Sequence, residues 1–222
     1  MTSVLHIISG LGVGGAEGML LQVASGLAAR GHRQHVVSLT GQGPLAERFE
    51  EAGVSTSYLD LKRLGGMVGG AFKLTRLMRA FRPDIVQGWM YHGDLGASVA
   101  QALAPRGHTP RLAWGVRCSD MDLKRNARII GLSARLSERP DVVVANSQAG
   151  AAVHQKRGYR PRRLEVIPNG IDTYRFKPDP QQRSEVRAEL GIDASARVAV
   201  HVARVDPMKD HGTFLEAARQ AP

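Results

Sequence analysis

Val4-Leu5-His6-Ile7-Ile8-Ser9-Gly10-Leu11-Gly12-Val13-Gly14-Gly15-Ala16-Glu17 begins as an apolar run and ends in a string of glycines. A short, nearly continuous apolar run stopped by glycines has the pattern of a buried parallel strand. Residues 16–30 follow with Met19, Leu20, Val23, Ala24 and Leu27 on one helical face, and Gly31 ends them. The unit is therefore strand, glycine loop, helix. Glycines let the backbone approach a ligand closely, and the helix behind them aims its free N–H groups and positive dipole end at an anion.

The same alternation continues outward from this unit. Strands are expected over 35–40, 56–61, 84–87, 112–116, 141–145 and 164–167. Helices are expected over 44–52, 67–81, 95–104, 124–136 and 147–156, several of them bounded by Pro44, Pro83 and Pro105. Residues 89–94 read as a loop between strand and helix, and Ser147 as a helix cap. Strands separated by helices of 10–15 residues require crossovers, so the sheet is parallel and covered on both faces. That predicts an α/β fold, a doubly wound Rossmann-like sheet over residues 1–168. Residues 169–196 read as a linker with a helix over 181–190. Residues 197–222 read as one strand (197–203), a turn and a helix, the opening βα unit of a second Rossmann-like domain that is incomplete here.

Composition narrows the function classes. No run approaches the roughly 20 apolar residues that span a bilayer, and the start lacks the basic region of a signal peptide. One cysteine, Cys118, excludes an internal disulfide, argues against a cysteine-based metal cluster, and fits a reducing cytoplasm. The formal charge is +10, and residues 106–163 hold thirteen Lys and Arg against four acids, nearly the whole excess. Such a stretch suits an anionic membrane surface or is a plain solvated face. Nucleic acid ranks below both, because no recognition module is visible and the aromatics are not interleaved with the basic residues.

Gly10, Gly12 and Gly15 also satisfy the spacing of a dinucleotide fingerprint. An NAD site wants an acid at the end of the second strand for the ribose hydroxyls, and no acid occurs between Glu17 and Glu47. Arg33 or His35 keeps an NADP-dependent oxidoreductase open. A tight turn without ligand, and a non-catalytic basic surface-binding module, are the plainer alternatives.

Five segments in order resemble a known family. Gly14-Gly15-Ala16-Glu17, Trp89-Met90-Tyr91-His92, Val144-Ala145-Asn146-Ser147, Val166-Ile167-Pro168-Asn169-Gly170-Ile171-Asp172 and the segment from Val202 through Arg204 to Lys209-Asp210 are similar to motifs of the retaining GT-B glycosyltransferases of family 4. The resemblance implies transfer of a sugar from a UDP- or GDP-sugar to a glycan or lipid-linked acceptor, with retention and without a metal or other cofactor. Within it, Gly14, Gly15, Arg204 and Lys209 hold the donor, its diphosphate being stabilised by fixed cations. His92 is the catalytic-site histidine beside the transferred sugar. Glu17, Arg117 and Asp120, with Asp122, face the acceptor, and Asn169 and Asp172 shape the hinge. The family has glycine where Ala203 stands. Its paired glutamates do not occur within these 222 residues, so this chain alone is expected to be inactive. The implied location is cytoplasmic, peripheral on the inner face of the membrane.

Overall fold

The computed structural model describes residues 1–63, 65–118 and 123–220. Its contacts divide the chain into two compact units, Met1–Gly170 and Ile171–Pro222.

The first unit is built on a seven-stranded sheet in the order β3-β2-β1-β4-β5-β6-β7. The strands are β1 (Ser3–Ile8), β2 (Arg33–Ser38), β3 (Ser55–Tyr58), β4 (Ile85–Trp89), β5 (Arg111–Val116), β6 (Val142–Ala145) and β7 (Leu164–Val166), and every pairing is parallel. Between them run α1 (Gly15–Ala29), α2 (Ala46–Glu51), α3 (Gly66–Phe81), α4 (Met90–Ala102), α5 (Leu123–Leu136) and α6 (Gln148–Lys156). The predicted doubly wound α/β sheet is the observed one.

Two apolar clusters lie on the two faces of the sheet. On one face Leu20, Leu21 and Ala24 of α1 and Phe49 of α2 pack with Ile8, Val36 and Trp89. On the other, Leu74 and Met78 of α3, Ala97 and Ala100 of α4, Ile130 of α5 and Ala151 of α6 pack with Leu5, Ile7, Val86 and Trp114. The face changes because the chain builds β2 and β3 on one side of β1 and then crosses to build β4 to β7 on the other. With right-handed crossovers, the helices of the two halves fall on opposite faces. Each fully buried large side chain contributes roughly 1.5–3 kcal/mol of hydrophobic stabilisation, so Trp89, Trp114, Phe49 and their neighbours hold the helices to the sheet.

Two expectations are corrected. Residues 89–94 are not a loop: α4 starts at Met90, directly after β4. Packing supplies what local sequence lacks. A Cβ on Gly93 would stand 2.3 Å from the Ile7 carbonyl oxygen, so its absence lets the first turn of α4 lie directly on β1. The junction is tight enough to hold Met90 at φ 65°, a conformation uncommon outside glycine. The expected Ser147 cap is present, its Oγ accepting from the Gly150 N–H at 3.0 Å.

The second unit contains α7 (Pro180–Glu189), capped by Asp179, a single 3-10 turn at Pro207–Lys209, and α8 (His211–Gln220). The strand expected over 197–203 does not form among the described residues. A strand exists only through ladder partners, and among the described residues of this unit no other strand is present; Val200 and Val202 stay exposed.

Candidate active site

In a parallel sheet all strands end on one edge, and ligands bind there at the point where strand order reverses. Here that point lies between β1 and β4. Ile8 pairs with Trp89 at the last rung of this ladder. The glycine loop after β1 and the first turn of α4 therefore leave the sheet side by side.

The loop delivers the chain into α1 with Gly14 as N-cap in extended conformation and no side-chain cap bond. The first N–H groups of α1 are thus available to an anion. A Cβ on Gly12 or Gly15 would meet nothing within 4 Å, so open space adjoins the loop. At Gly14 the situation differs: a Cβ would stand 2.4 Å from Oε2 of Glu17. The Glu17 carboxylate folds back over Gly14, at the positive end of its own helix, where an acid is favoured.

His92 is exposed in the first turn of α4. Two residues on, Asp94 is fully buried, and its Oδ1 accepts the Gly115 N–H at 2.9 Å while Oδ2 has no partner. Burial holds this carboxyl well above the usual carboxylate range. The β4–β5 ladder ends at Gln87 and Ala113, and Asp94 takes the amide that the parting strands leave behind. It thereby pins the His92 turn to β5. No local pattern points to Asp94 beyond a carboxylate two residues from a histidine.

Below this turn lies a buried polar chain. Trp89 Nε1 donates to His6 Nδ1 at 3.1 Å, which leaves His6 Nε2 to donate to Gln34 Oε1 at 2.9 Å. Burial lowers the His6 pKa from 6.5 to about 4, so the ring is neutral at pH 7. Beside it, Tyr91 donates its hydroxyl to His154 Nε2 at 2.8 Å, because His154 Nδ1 donates to the Gly150 carbonyl at 2.7 Å. Burial raises the Tyr91 pKa and lowers that of His154.

Arg117, at the end of β5, lies with its guanidinium 4.9 Å from the Trp89 ring centroid and donates to Asn169 Oδ1. Burial lowers its pKa. It thus braces residue 169, next to the boundary between the units. A groove of about 560 Å³ beside it is lined by Trp89, Gln87, Met19, Val23, Ile167 and Pro168, among others. Asp120 and Asp122 lie outside the described residues. The structure thus brings Gly14, Gly15, Glu17 and His92 to one edge of the sheet, with Arg117 following the neighbouring strand.

Arg204 and Lys209 belong to the second unit. Arg204 is exposed, 3.9 Å from Asp206, and its carbonyl accepts from His211 Nε2 at 2.7 Å. Lys209 ends the 3-10 turn that Asp206 caps. Arg204 precedes that turn and Lys209 closes it, both ahead of α8.

A family model described as Glycosyltransferase Family 4 matches residues 13–175. The chain belongs to glycosyltransferase family 4. Among curated relatives of this family 4 chain, the D-inositol 3-phosphate glycosyltransferase of Segniliparus rotundus is 29% identical over 132 residues, 59% of this chain and 28% of the relative. That of Rhodococcus erythropolis is 32% identical over 94 residues, 42% of this chain and 21% of the relative. The aligned segments therefore span less than a third of these relatives' length. Among solved structures, Anabaena HepE in complex with UDP and glucose superposes with a TM-score of 0.80 at 22% identity, over 100% of this chain and 59% of that one. A glycosyltransferase from Rickettsia africae gives 0.68 at 15% identity, over 98% and 56%. The fold is that of GT-B glycosyltransferases. Nothing in these likenesses supports a dinucleotide-dependent oxidoreductase or a non-catalytic surface-binding module.

Proposed function

We propose that the protein takes part in transferring a sugar from a UDP- or GDP-sugar to a glycan or lipid-linked acceptor, with retention and without a metal ion or other cofactor. The observation that carries this reading is the joint departure of the glycine loop and α4 from the β1/β4 switch point. It puts an open helix N-terminus and an exposed histidine at one edge. HepE's complex with UDP and glucose supports a nucleotide-sugar donor.

In this reading the amides of Gly14 and Gly15 and the cations of Arg204 and Lys209 serve the donor diphosphate. Charge builds on the leaving phosphate as the anomeric carbon–oxygen bond breaks, and fixed cations stabilise it most where water is excluded. The departing phosphate oxygen accepts the acceptor hydroxyl's proton on the same face, which gives retention. His92 hydrogen-bonds the transferred sugar. Glu17 yields its place at α1 to the donor and turns toward the acceptor, with Arg117 and Asp120 assigned to the same side. The protein works in the cytoplasm, peripheral to the inner face of the membrane; among the described residues no helix is long and apolar enough to cross a bilayer.

Isothermal titration of the chain with UDP-glucose, GDP-mannose and NAD tests this. A UDP- or GDP-sugar is expected to bind, and NAD is not. Charge-assisted hydrogen bonds are worth about 1.5–3 kcal/mol, so Arg204→Ala with Lys209→Ala is expected to weaken binding at least roughly tenfold. Binding of NAD alone, no nucleotide-sugar binding, or indifference to both substitutions overturns the reading.

A further inference from the structure

The segment 204–211 of the second unit closes on itself. Asp206 caps the 3-10 turn over Pro207–Lys209, its Oδ1 accepting the Met208 N–H at 3.0 Å. The Lys209 N–H donates to the Asp206 carbonyl at 2.9 Å. At Asp210 the backbone swings to φ 48°, the left-handed region that few residues other than glycine adopt. The Asp210 side chain caps the helix that follows, Oδ1 accepting the Thr213 N–H at 3.2 Å. His211, the first residue of α8, then reaches back seven residues, and its Nε2 donates to the Arg204 carbonyl at 2.7 Å. A carbonyl only accepts, so Nε2 carries the proton.

The His211 ring is itself held. It stacks on the ring of His201, with centroids 4.6 Å apart and planes 12° from parallel. The His201 ring in turn meets Phe214, one turn along α8, edge-on at 4.9 Å. His201, His211 and Phe214 are half-buried, while Val202, Val205 and Met208 are exposed. A ring already stacked has lost most of its rotamer freedom, so its hydrogen bond costs little further ordering.

Arg204 and Lys209 lie within this closed segment, and both are exposed. Among the described residues, 197–203 joins no sheet, so no ladder fixes the backbone that enters Arg204. The bond from His211 anchors the chain at that residue. Two cations on a closed loop meet one anion at a smaller entropic cost than two on a free chain.

We infer that His211 is a positioning residue, which closes the 204–211 loop and fixes the spacing of Arg204 and Lys209 for one diphosphate. This rests on the reading that those two cations serve the donor, and His211 acts through Arg204 rather than on the donor.

The test is isothermal titration of the whole chain with UDP-glucose and GDP-mannose, joined to NMR of the Val205 amide, which shares a peptide unit with the Arg204 carbonyl. His211→Phe keeps a ring to stack on His201 but has no N–H to give, and is expected to weaken binding roughly three- to tenfold. His211→Gln keeps an N–H donor and is expected to bind within about twofold of wild type. The Val205 amide signal is expected to move in the Phe variant and to stay near its wild-type position in the Gln variant. Added to Arg204→Ala, His211→Phe is expected to cost nothing further, since residues acting through one another are not additive. Wild-type affinity in the Phe variant, a Gln variant as weak as the Phe one, an unmoved Val205 signal, or additive losses with Arg204→Ala overturns the inference and leaves the proposed function standing. A wild-type chain that binds neither nucleotide-sugar overturns the proposed function, and the positioning role with it.

Discussion

Acidification is expected to unfold the first unit through two histidines. His6 and His35 are both depressed from 6.5 to about 4, each mainly by burial. A depressed histidine binds fewer protons folded than unfolded, so stability is full above pH 6.5 and falls as pH drops toward 4. A difference of 2.5 units corresponds to about 3.4 kcal/mol per residue when fully developed. Between pH 7 and 4.5 each contributes a loss of about 2.5 kcal/mol, and the pair about 5 kcal/mol, comparable to the whole stability of a marginal domain. The assay is urea unfolding followed by tryptophan fluorescence across that range. Both tryptophans of the chain, Trp89 and Trp114, are buried in the first unit, so the signal reports that unit alone. His154, also lowered by burial, titrates in the same direction, and carboxylates follow below this window. Asp84 and Asp141 are held below the usual carboxylate range by hydrogen bonds and also lose stability in acid. The readout is therefore the difference between wild type and His6→Gln, which lowers overall stability but removes one histidine's share of the slope. Parallel curves for the two proteins, or a His6 ring proton titrating near 6.5 by NMR, would show that the Trp89–His6–Gln34 chain does not keep the ring neutral.

Asp94 works in the opposite sense. A carboxyl whose folded value is raised stabilises the protein below the ordinary carboxylate range, and that stability is lost as pH climbs toward the folded value. Asp94→Asn keeps an oxygen for the Gly115 N–H and removes the buried charge, so Tm at pH 8 is expected to rise, on the order of 3 °C for each kcal/mol recovered; a Tm lowered at pH 8 counts against this. Gly93→Ala puts a methyl 2.3 Å from a backbone oxygen of β1 and is expected to cost about 1–3 kcal/mol in urea titrations. Gly12→Ala meets nothing within 4 Å and is expected to stay within about 0.5 kcal/mol, and equal costs for the two would defeat the packing argument.

The sheet and its helices were legible because periodicity survives in sequence: short apolar runs for parallel strands, three- and four-residue spacing for helices. The start of α4 was not. Trp89 offers no side-chain cap, Gly88 and Gly93 look like loop residues, and the helix begins where it does because of contacts with β1 and β5. The region 197–203 failed for the converse reason, since an apolar run becomes a strand only beside another strand. At the site, the glycine loop could be placed from local spacing, and His92 from the family resemblance. The Arg117–Asn169 and Trp89–His6 contacts join residues 52 and 83 positions apart, and no local pattern announces them.

The seating of α4 has a further consequence. A Cβ on Gly88 would strike the Asp94 backbone, as one on Gly93 would strike β1. The helix is keyed into the sheet on two sides and has no slack with which to slide or swivel. One jaw of the crevice is thus stiff, and compliance resides in the opposite lip, where Gly12 and Gly15 have room around them. A side chain introduced at Gly12 or Gly15 would fill open space and leave the histidine's footing undisturbed.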